Sequence, residues 1–285
     1  MENSILQSII KVNGSSVMTE LDSLAVEEPL EIRMRHGMPG IDKNVAVTMR
    51  TPGHDAELAL GFLFTEGIIA EATQVESVQH VVERCSVNNG NVILVTLHKN
   101  VTPNTLHADR NFYTTSSCGV CGKASINAIR VIHKQKAMPW PHQPIPAGIL
   151  HGLPGKINTE QTIFRQTGGL HAATLFNHQG ELLLLREDVG RHNAVDKIIG
   201  AALPDHKIVL ANCILLLSGR ASFELVQKAA MAGIPVIAAI GAPSSLALSL
   251  AKEFGITLVG FLKADRFNVY AAPDRIKIPV YENTY

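Results

Sequence analysis

The chain has 285 residues, 46% of them hydrophobic, which is enough for one large domain or two modest ones with a true core. Its 25 basic and 25 acidic residues give a formal net charge of zero, which argues against nucleic-acid and anionic-membrane partners. Four cysteines in a chain of this length do not make a disulfide scaffold.

The N-terminus and the hydropathy pattern predict a cytoplasmic protein with reduced thiols. Residues 1–7 lack the basic and apolar regions and the cleavage site of a secretion signal. No apolar run reaches the length of about 18 residues that a membrane span requires. The longest apolar stretches, 209–217 and 234–240, have the length of strands.

Residues 1–110 are predicted to form a smaller N-terminal α+β domain. Strands are expected at 45–49, 75–82 and 91–97, with turn residues at 88–90. One helix is expected over 55–67, with Asp55 as its N-cap and Gly67 as its end.

Beyond residue 110, a helix is expected over 123–133, after the cysteine motif. Five prolines then make 138–155 a poor candidate for regular structure.

Residues 111–285 are predicted to form a C-terminal α/β domain, with the α/β pattern clearest from Ile163 onward. The expected strands are 174–176, 181–186, 207–210, 234–240 and 256–262, and the expected helices are 193–200, 222–232 and 244–254. The last two helices each end at a glycine that leads directly into a strand. This alternation predicts a mostly parallel sheet in a three-layer arrangement.

The segment that carries the clearest chemical signal is Ser116-Ser-Cys-Gly-Val-Cys-Gly-Lys123. Ser116 or Ser117 can cap a following helix, which places the thiols of Cys118 and Cys121 in its first turn. The helix dipole and the nearby lysine then favour the thiolate, which is the reactive form.

Four interpretations of this cysteine pair compete. A structural zinc site requires a second ligand pair, which Cys85 and Cys213 do not form in sequence. A thioredoxin-type dithiol normally follows a strand in a small domain, and inert buried cysteines do not need flanking glycines. The fourth interpretation is covalent sulfur chemistry, in which one thiolate accepts sulfane sulfur and its neighbour assists.

The Ser116–Gly122 motif resembles the signature of the FdhD family, sulfur carriers that formate dehydrogenase requires. Further similar segments run from about residue 25 to the end of the chain: 28–31, 50–53, 61–67, 167–171, 186–193, 218–228, 242–246 and 260–270. The density of matches in 186–193 makes the resemblance specific.

The resemblance implies that Cys118 accepts sulfur as a persulfide from a cysteine desulfurase, with Cys121 as the second member of the pair. The acceptor would be the molybdenum bis(molybdopterin guanine dinucleotide) cofactor, or its tungsten counterpart, before insertion into formate dehydrogenase. Its binding segment would be Phe261, Leu262, Lys263, Ala264, Asp265 and Arg266. A homodimer is expected, together with a cytidine-deaminase-like three-layer fold in the C-terminal domain.

A zinc hydrolase is not expected despite the deaminase-like fold. Deaminases use H-x-E and P-C-x-x-C motifs, whereas His171 is followed by two alanines and no proline precedes Cys118. No permanent metal is therefore expected. Two rival functions remain, a dithiol oxidoreductase and a chaperone that only holds a nucleotide cofactor for its client.

Three further segments are candidate ligand contacts. Residues 241–245 follow a buried strand and open a helix, which suits either a phosphate or simple capping by Ser244. Lys263 and Arg266 follow the next strand, at the end where ligands bind in open α/β sheets. The charged run 186–193, with Arg191 and His192, and the nearby Arg220 could line the same cleft, although an internal salt-bridge network would also explain the run.

Overall fold

The computed structural model describes residues 2–81, 90–104, 140–141 and 143–278. Cys118, Cys121 and the predicted helix over 123–133 lie outside the described residues. The predicted domain boundary near residue 110 lies there as well, so it stays a prediction.

The described residues contain six α-helices and fourteen strands. The strands are β1 Ser4–Asn13, β2 Ser16–Ala25, β3 Glu28–His36, β4 Ile41–Arg50, β5 Val75–His80, β6 Val92–Leu97, β7 Ile145–Pro146, β8 His171–Phe176, β9 Leu182–Asp188, β10 Ile214–Leu217, β11 Val236–Ala239, β12 Thr257–Gly260, β13 Asn268–Ala271 and β14 Ile276–Lys277. The helices are α1 Asp55–Thr65, α2 Ala147–Glu160, α3 Thr162–Thr167, α4 Arg191–Ala202, α5 Phe223–Met231 and α6 Ser245–Phe254.

The N-terminal part contains a separate hairpin, β1–β2, and a four-stranded sheet in the order β4-β3-β6-β5. The three strands that the sequence predicts here are confirmed as β4, β5 and β6. In β3 every second side chain, at Leu30, Ile32 and Met34, is fully buried. This alternation is the pattern of a strand with one face on the core.

Helix α1 is confirmed, but the prediction that Asp55 caps it is wrong. The cap position is His54, in the left-handed region at φ 58°, and Asp55 is the first helical residue. The Asp55 carboxylate instead accepts hydrogen bonds of 3.0 and 2.9 Å from Arg50, and both side chains are buried. Pairing with a buried guanidinium takes precedence over capping because an unpaired buried charge is costly. Gly67, at φ 70°, follows the end of the helix as expected.

The C-terminal part is built on a six-stranded sheet in the order β13-β12-β11-β10-β8-β9. Only β10, β11 and β12 run parallel, while β8, β9 and β13 pair antiparallel with their neighbours. The α/β class is confirmed, but the prediction of a mostly parallel sheet is wrong. Strands β8 and β9 are joined by the short turn at 177–180 and so must be antiparallel.

The sheet is covered by helices on both faces. One face packs on the buried side of α2, at Leu150, Leu153 and Ile157. The other face packs on α4, α5 and α6, in a core that continues through α1 to the four-stranded sheet. The layers are therefore α2, the sheet, and the helices α4 to α6.

Helices α1 and α4 cross with their backbones in contact. A Cβ atom on Gly61 would lie 1.9 Å from the carbonyl oxygen of Asp196, and one on Gly200 would lie 1.9 Å from that of Glu57. No side chain larger than hydrogen fits at either position. The two glycines thus fix how closely the N-terminal sheet approaches the C-terminal sheet.

Two predicted segments differ from the structure. Residues 138–155 were expected to lack regular structure, but β7 and the first two turns of α2 lie there, and Pro154 is inside the helix. Burial of three aliphatic side chains on one face of α2 offsets the backbone hydrogen bond that proline cannot donate. The strand expected at 207–210 is absent: residues 207–209 form a turn and a loop, and Leu210 begins a short 3₁₀ helix. The strand of this apolar run is β10, which begins four residues further on.

Among the residues described, no helix combines the length and the apolar character that crossing a bilayer demands.

Candidate functional site at the ends of the parallel strands

The three parallel strands end side by side, and the loops that follow them are hydrogen-bonded to one another. Gly241 N donates to Gly219 O at 3.0 Å, and Phe261 N donates to Gly241 O at 3.1 Å. Leu262 N donates to the carbonyl of Ala239, the last residue of β11, at 3.0 Å. These hydrogen bonds hold the loops after β10, β11 and β12 together at one edge of the sheet. We call this the strand-end edge.

Glycines permit this close approach of the loops. A Cβ atom on Gly260 would lie 2.7 Å from the ring of Pro243, and one on Gly241 would lie 3.1 Å from the carbonyl oxygen of Gly219. The 241–245 segment, predicted as either a phosphate site or a helix cap, does cap the helix. The Ser244 side chain accepts a hydrogen bond of 3.2 Å from Ala247 N. Phosphate binding at this segment stays a prediction.

The predicted cofactor segment 261–266 forms a tight turn at this edge, closed by a hydrogen bond of 2.8 Å from Lys263 N to Arg266 O. Leu262 is fully buried and anchors the turn, whereas the other five side chains are exposed. Phe261 has a φ of 52°, a conformation that costs a non-glycine residue on the order of 1 kcal/mol or more. Phe261 is nevertheless 45% exposed rather than packed in the core. Strain of this kind concentrates at binding sites.

A cavity of about 580 Å³ opens beside this turn. Ligand sites for molecules of nucleotide size generally have volumes of roughly 300–1,000 Å³. The wall comes from α2, from α3, from the stretch that leads into β8, and from the loops after β10, β11 and β12: Pro154, Ile157, Asn158, Gln161, Phe164, Gly168, Gly169, Leu170, His171, Ser218, Ile240, Leu262 and Lys263. Leu262 and Lys263 join the predicted cofactor segment to this cavity.

Two polar residues of the cavity wall were not identified as ligand contacts from the sequence. Gln161 is 3% exposed, and its amide Nε2 has no hydrogen-bond partner among the described residues. An unsatisfied buried amide donor is costly, so it is a candidate to bind a ligand acceptor. His171 lies at the start of β8, and burial, followed by the charges of Arg191 and His192, lowers its pKa. The ring is therefore neutral near pH 7.

The charged run 186–193 divides into two parts. Its first part and its last residue connect the two halves of the molecule, because Arg186 donates to Glu57 of α1 at 2.8 Å and Asn193 donates to Met49 O at 2.7 Å. Asp188 forms an ion pair of 2.7 Å with Lys197. The salt-bridge interpretation of this part is confirmed.

The second part of the run reaches the strand-end edge. Arg191 is half-buried beside His171, and its Nε has no hydrogen-bond partner among the described residues. His192 Nε2 lies 3.4 Å from Ser222 Oγ and 3.8 Å from a Glu224 carboxylate oxygen. Arg220 is exposed at the same edge. The edge therefore presents arginines, Lys263 and a neutral histidine beside the cavity, which is a set of donors suited to phosphate oxygens.

The cysteine pair cannot be placed against this edge, because Cys118, Cys121 and Cys85 lie outside the described residues. Cys213 is described and buried, and burial raises its pKa to about 11. Its thiol is therefore protonated and unreactive near neutral pH. Within the described part of the chain, no three His, Cys, Asp or Glu side chains converge as a metal site would require.

Comparison with known proteins decides the family. The sequence model of the FdhD/NarQ family matches residues 25–277. The chain belongs to the FdhD/NarQ family. Relatives named sulfur carrier protein FdhD include one from Mycobacterium tuberculosis, 50% identical over 270 residues that cover 93% of this chain and 95% of the relative. Another, from Streptomyces coelicolor, is 47% identical over 274 residues, 95% of each chain.

The family also extends to distant organisms and to a solved structure. The relative from Saccharolobus solfataricus, also named sulfur carrier protein FdhD, is 40% identical over 268 residues, 94% of this chain and 96% of its own. A crystal structure from Desulfotalea psychrophila, of a protein proposed to be a formate dehydrogenase accessory protein, matches with a TM-score of 0.70 and 26% identity. The match covers 96% of this chain and all of that one. The family resemblance read from the sequence is confirmed.

Proposed function

We propose that this chain is a sulfur carrier that supports formate dehydrogenase. The observation that carries the proposal is identity of 47–50% over more than nine-tenths of the chain to proteins named sulfur carrier protein FdhD. The motif Cys118-Gly-Val-Cys121 supplies the thiols that such a role needs. The cavity at the strand-end edge supplies room and donors for a nucleotide-bearing acceptor.

In this proposal Cys118 is the sulfur-bearing residue. Its thiolate attacks the terminal sulfur of a persulfide on a cysteine desulfurase, so a new S–S bond forms and the donor cysteine leaves as a thiolate. An incoming nucleophile then takes the outer sulfur, and the Cys118 thiolate is released. A low thiol pKa aids both steps, since the thiolate is the attacking form and later the leaving group. Cys121 assists this exchange as the second thiol.

The acceptor we propose is the molybdenum bis(molybdopterin guanine dinucleotide) cofactor, bound as a substrate along the segment Phe261–Arg266. Three features support it: the volume of the cavity, the unpartnered amide of Gln161 that could meet a carbonyl of a base, and the exposed cations Lys263 and Arg266. We also propose that the C-terminal part has a fold similar to that of the cytidine deaminases.

The test is peptide mapping by mass spectrometry after incubation with a cysteine desulfurase and cysteine. The expected result is a gain of one sulfur atom on the peptide that contains Cys118, and its loss in Cys118→Ala. Cys213→Ala is the matched control, since that buried thiol should not exchange sulfur. Sulfur found only on Cys85 or Cys213 would contradict the assignment.

Two rival functions give different results. If both cysteines can be replaced without loss of formate dehydrogenase activation, the chain is a chaperone for the cofactor. If labelled sulfur leaves only as sulfide while Cys118 and Cys121 close into a disulfide, the chain is a dithiol oxidoreductase.

A further inference from the structure

Gln161 lies at the junction of two helices in the wall of the cavity. It follows the last residue of α2, and α3 begins at the next residue. Its backbone is held on both sides, because Gln161 N donates to Ile157 O at 3.0 Å and Gln161 O accepts from Arg165 N at 3.2 Å. These hydrogen bonds fix the point from which the side chain extends.

Helix capping does not explain the side chain of Gln161. A residue in this position commonly accepts hydrogen bonds from the first amides of the helix that follows. Gln161 makes no such bond. Ile163 N and Phe164 N donate instead to the carboxylate of Glu187, at 3.1 and 2.8 Å. Because the residue from β9 caps α3, the amide of Gln161 remains without this structural function.

The amide of Gln161 lacks an acceptor inside the protein. Gln161 is 3% exposed, and its Nε2 has no hydrogen-bond partner among the described residues. A buried donor in this state has lost its hydrogen bonds to water and gained none in return, which destabilises the folded chain. The last torsion of a glutamine side chain is soft, so the amide can turn toward an acceptor that enters the cavity.

The walls of the cavity suit a flat ring. Its apolar lining includes Ile157, Phe164, Leu170, Ile240 and Leu262. Ligand sites of this kind enclose an aromatic ring between apolar side chains and orient it with a few polar groups. The volume of about 580 Å³ accommodates such a ring together with a sugar.

The same wall distinguishes an inner end from an outer end. Gln161 is buried, whereas Lys263 is exposed to solvent. Phosphate groups are costly to remove from water, so they belong beside the exposed lysine. The ring of a bound ligand then lies on the side of Gln161, where a neutral donor meets a neutral acceptor.

We propose that Gln161 is a specificity-determining residue, which donates from Nε2 to the exocyclic oxygen of a 2-amino-4-oxopyrimidine ring. Guanine and pterin both contain this ring. The inference rests on the acceptor proposed above, which carries both groups. An amino group in place of the oxygen is itself a donor and would leave two buried donors without an acceptor. Gln161 therefore selects the oxo ring over its amino analogue.

The test is titration calorimetry of the full chain with two pairs of probes, each pair differing in the oxo or amino substituent of the ring. GDP is compared with 2-aminoadenosine diphosphate, and pterin is compared with 2,4-diaminopteridine. The wild type should bind the oxo member of at least one pair at least about tenfold more tightly, since one buried hydrogen bond is at stake.

Two substitutions at Gln161 and one control assign this preference to the amide. Gln161→Met keeps the length of the side chain, removes the amide and should abolish the preference. Gln161→Asn withdraws the amide by one methylene and should weaken it. Gln166→Met makes the same change as the first variant at an exposed position of α3 outside the cavity wall, and it should keep the wild-type preference.

Thermal unfolding of the ligand-free variants gives a readout that a purely structural role would move in the opposite direction. Gln161→Met removes an unsatisfied buried donor, so its melting temperature should equal or exceed that of the wild type. A gain in stability together with a loss of oxo preference is the combination expected of a residue kept for binding.

The outcomes separate this inference from the proposed function. Loss of preference in the first pair places guanine in the cavity, and loss in the second pair places the pterin there. A preference that survives in Gln161→Met, or equal wild-type affinity for both members of each pair, overturns the inference and leaves the proposed acceptor standing. A wild type that binds neither GDP nor pterin contradicts the acceptor as well, while sulfur loading of Cys118 tests the carrier role independently.

Discussion

Lys197 and Asp188 form an ion pair in the interior of the protein, with Nζ 2.7 Å from Oδ2 and side-chain exposures of 1% and 0%. Lys197 Nζ also donates to the carbonyl of Thr51 at 2.8 Å, and Thr51 N donates to Asp188 at 3.3 Å. The pair therefore joins α4 and the end of β9 to the loop that follows β4. Burial raises the pKa of Asp188 despite the attraction of Lys197.

Lys197→Met should destabilise the fold by about 3–5 kcal/mol, because it leaves a buried carboxylate without its cation. Denaturant unfolding followed by circular dichroism measures the loss. Lys252→Met, at an exposed position on α6, is the matched control and should change stability by less than about 0.5 kcal/mol. If the double variant Asp188→Asn with Lys197→Met loses as much stability as the two single changes added together, the two residues are not energetically coupled.

Stability should depend on pH through Glu57. Burial alone would raise the pKa of this carboxyl group, yet hydrogen bonds from Arg186 and His54 lower it from the ordinary 4.5 to about 2. A lowered pKa in the folded state stabilises the protein above the unfolded pKa, and the contribution is lost as pH falls from 4.5 toward 2. After allowance for partial exposure, the contribution is about 1–2 kcal/mol.

The measurement is the free energy of unfolding between pH 6 and pH 2.5 for the wild type and Glu57→Gln. The variant should lose less stability across this range than the wild type does. Glu160→Gln, which removes the same charge at the exposed end of α2, should keep the wild-type slope. Parallel curves for wild type and Glu57→Gln would show that the contact with Arg186 contributes nothing.

Lys263 and Arg266 should contribute directly to nucleotide affinity. Each charge-assisted hydrogen bond to a phosphate contributes on the order of 1.5–3 kcal/mol. Replacing both residues with alanine should therefore weaken GDP binding at least about tenfold by calorimetry. The control is Lys252→Ala combined with Lys277→Ala, which removes two exposed cations that are neither in the 261–266 segment nor in the cavity wall. Unchanged GDP affinity in the folded Lys263/Arg266 variant would show that these two side chains do not bind the phosphates, and Arg191 or Ser244 would be the next candidates.

Substitutions of Phe261 should affect the stability of the protein and its affinity for GDP differently. Phe261→Gly removes a side chain from a left-handed backbone, which should leave stability unchanged or raise it by about 1 kcal/mol. The same change should weaken GDP binding if the exposed ring stacks on a base, whereas Phe261→Tyr should preserve it. Calorimetry with GDP and thermal unfolding of both variants give the two readouts. A glycine variant that binds GDP as tightly as the wild type would show that the ring takes no part.

Local features of the C-terminal part were accessible from the sequence. The two helix–glycine–strand units that end in β11 and β12 have boundaries within one or two residues of the predicted ones. The prediction succeeds because Gly233 and Gly255 adopt positive φ values, which end the helices. A helical period, a buried run of branched residues and a glycine stop each act over a few neighbouring residues. The assignment of sulfur chemistry to the cysteine motif and of cofactor binding to the 261–266 segment also comes from local pattern and family resemblance, and both assignments stay predictions.

Tertiary structure alone decided the rest. Strand direction in the six-stranded sheet depends on pairing between distant segments, and α2 persists through Pro154 because Leu150, Leu153 and Ile157 are buried against the sheet. The wall of the cavity combines 154–171 with residues near 218, 240 and 262, which no sequence pattern connects. The sequence by itself determined which residues carry charge or sulfur. Packing determined which of those charges stabilise the fold, as Asp188 and Lys197 do, and which stay exposed and can contact a ligand, as Lys263 does. The reason is that burial depends on contacts between segments that are distant in the sequence, not on neighbours in the chain.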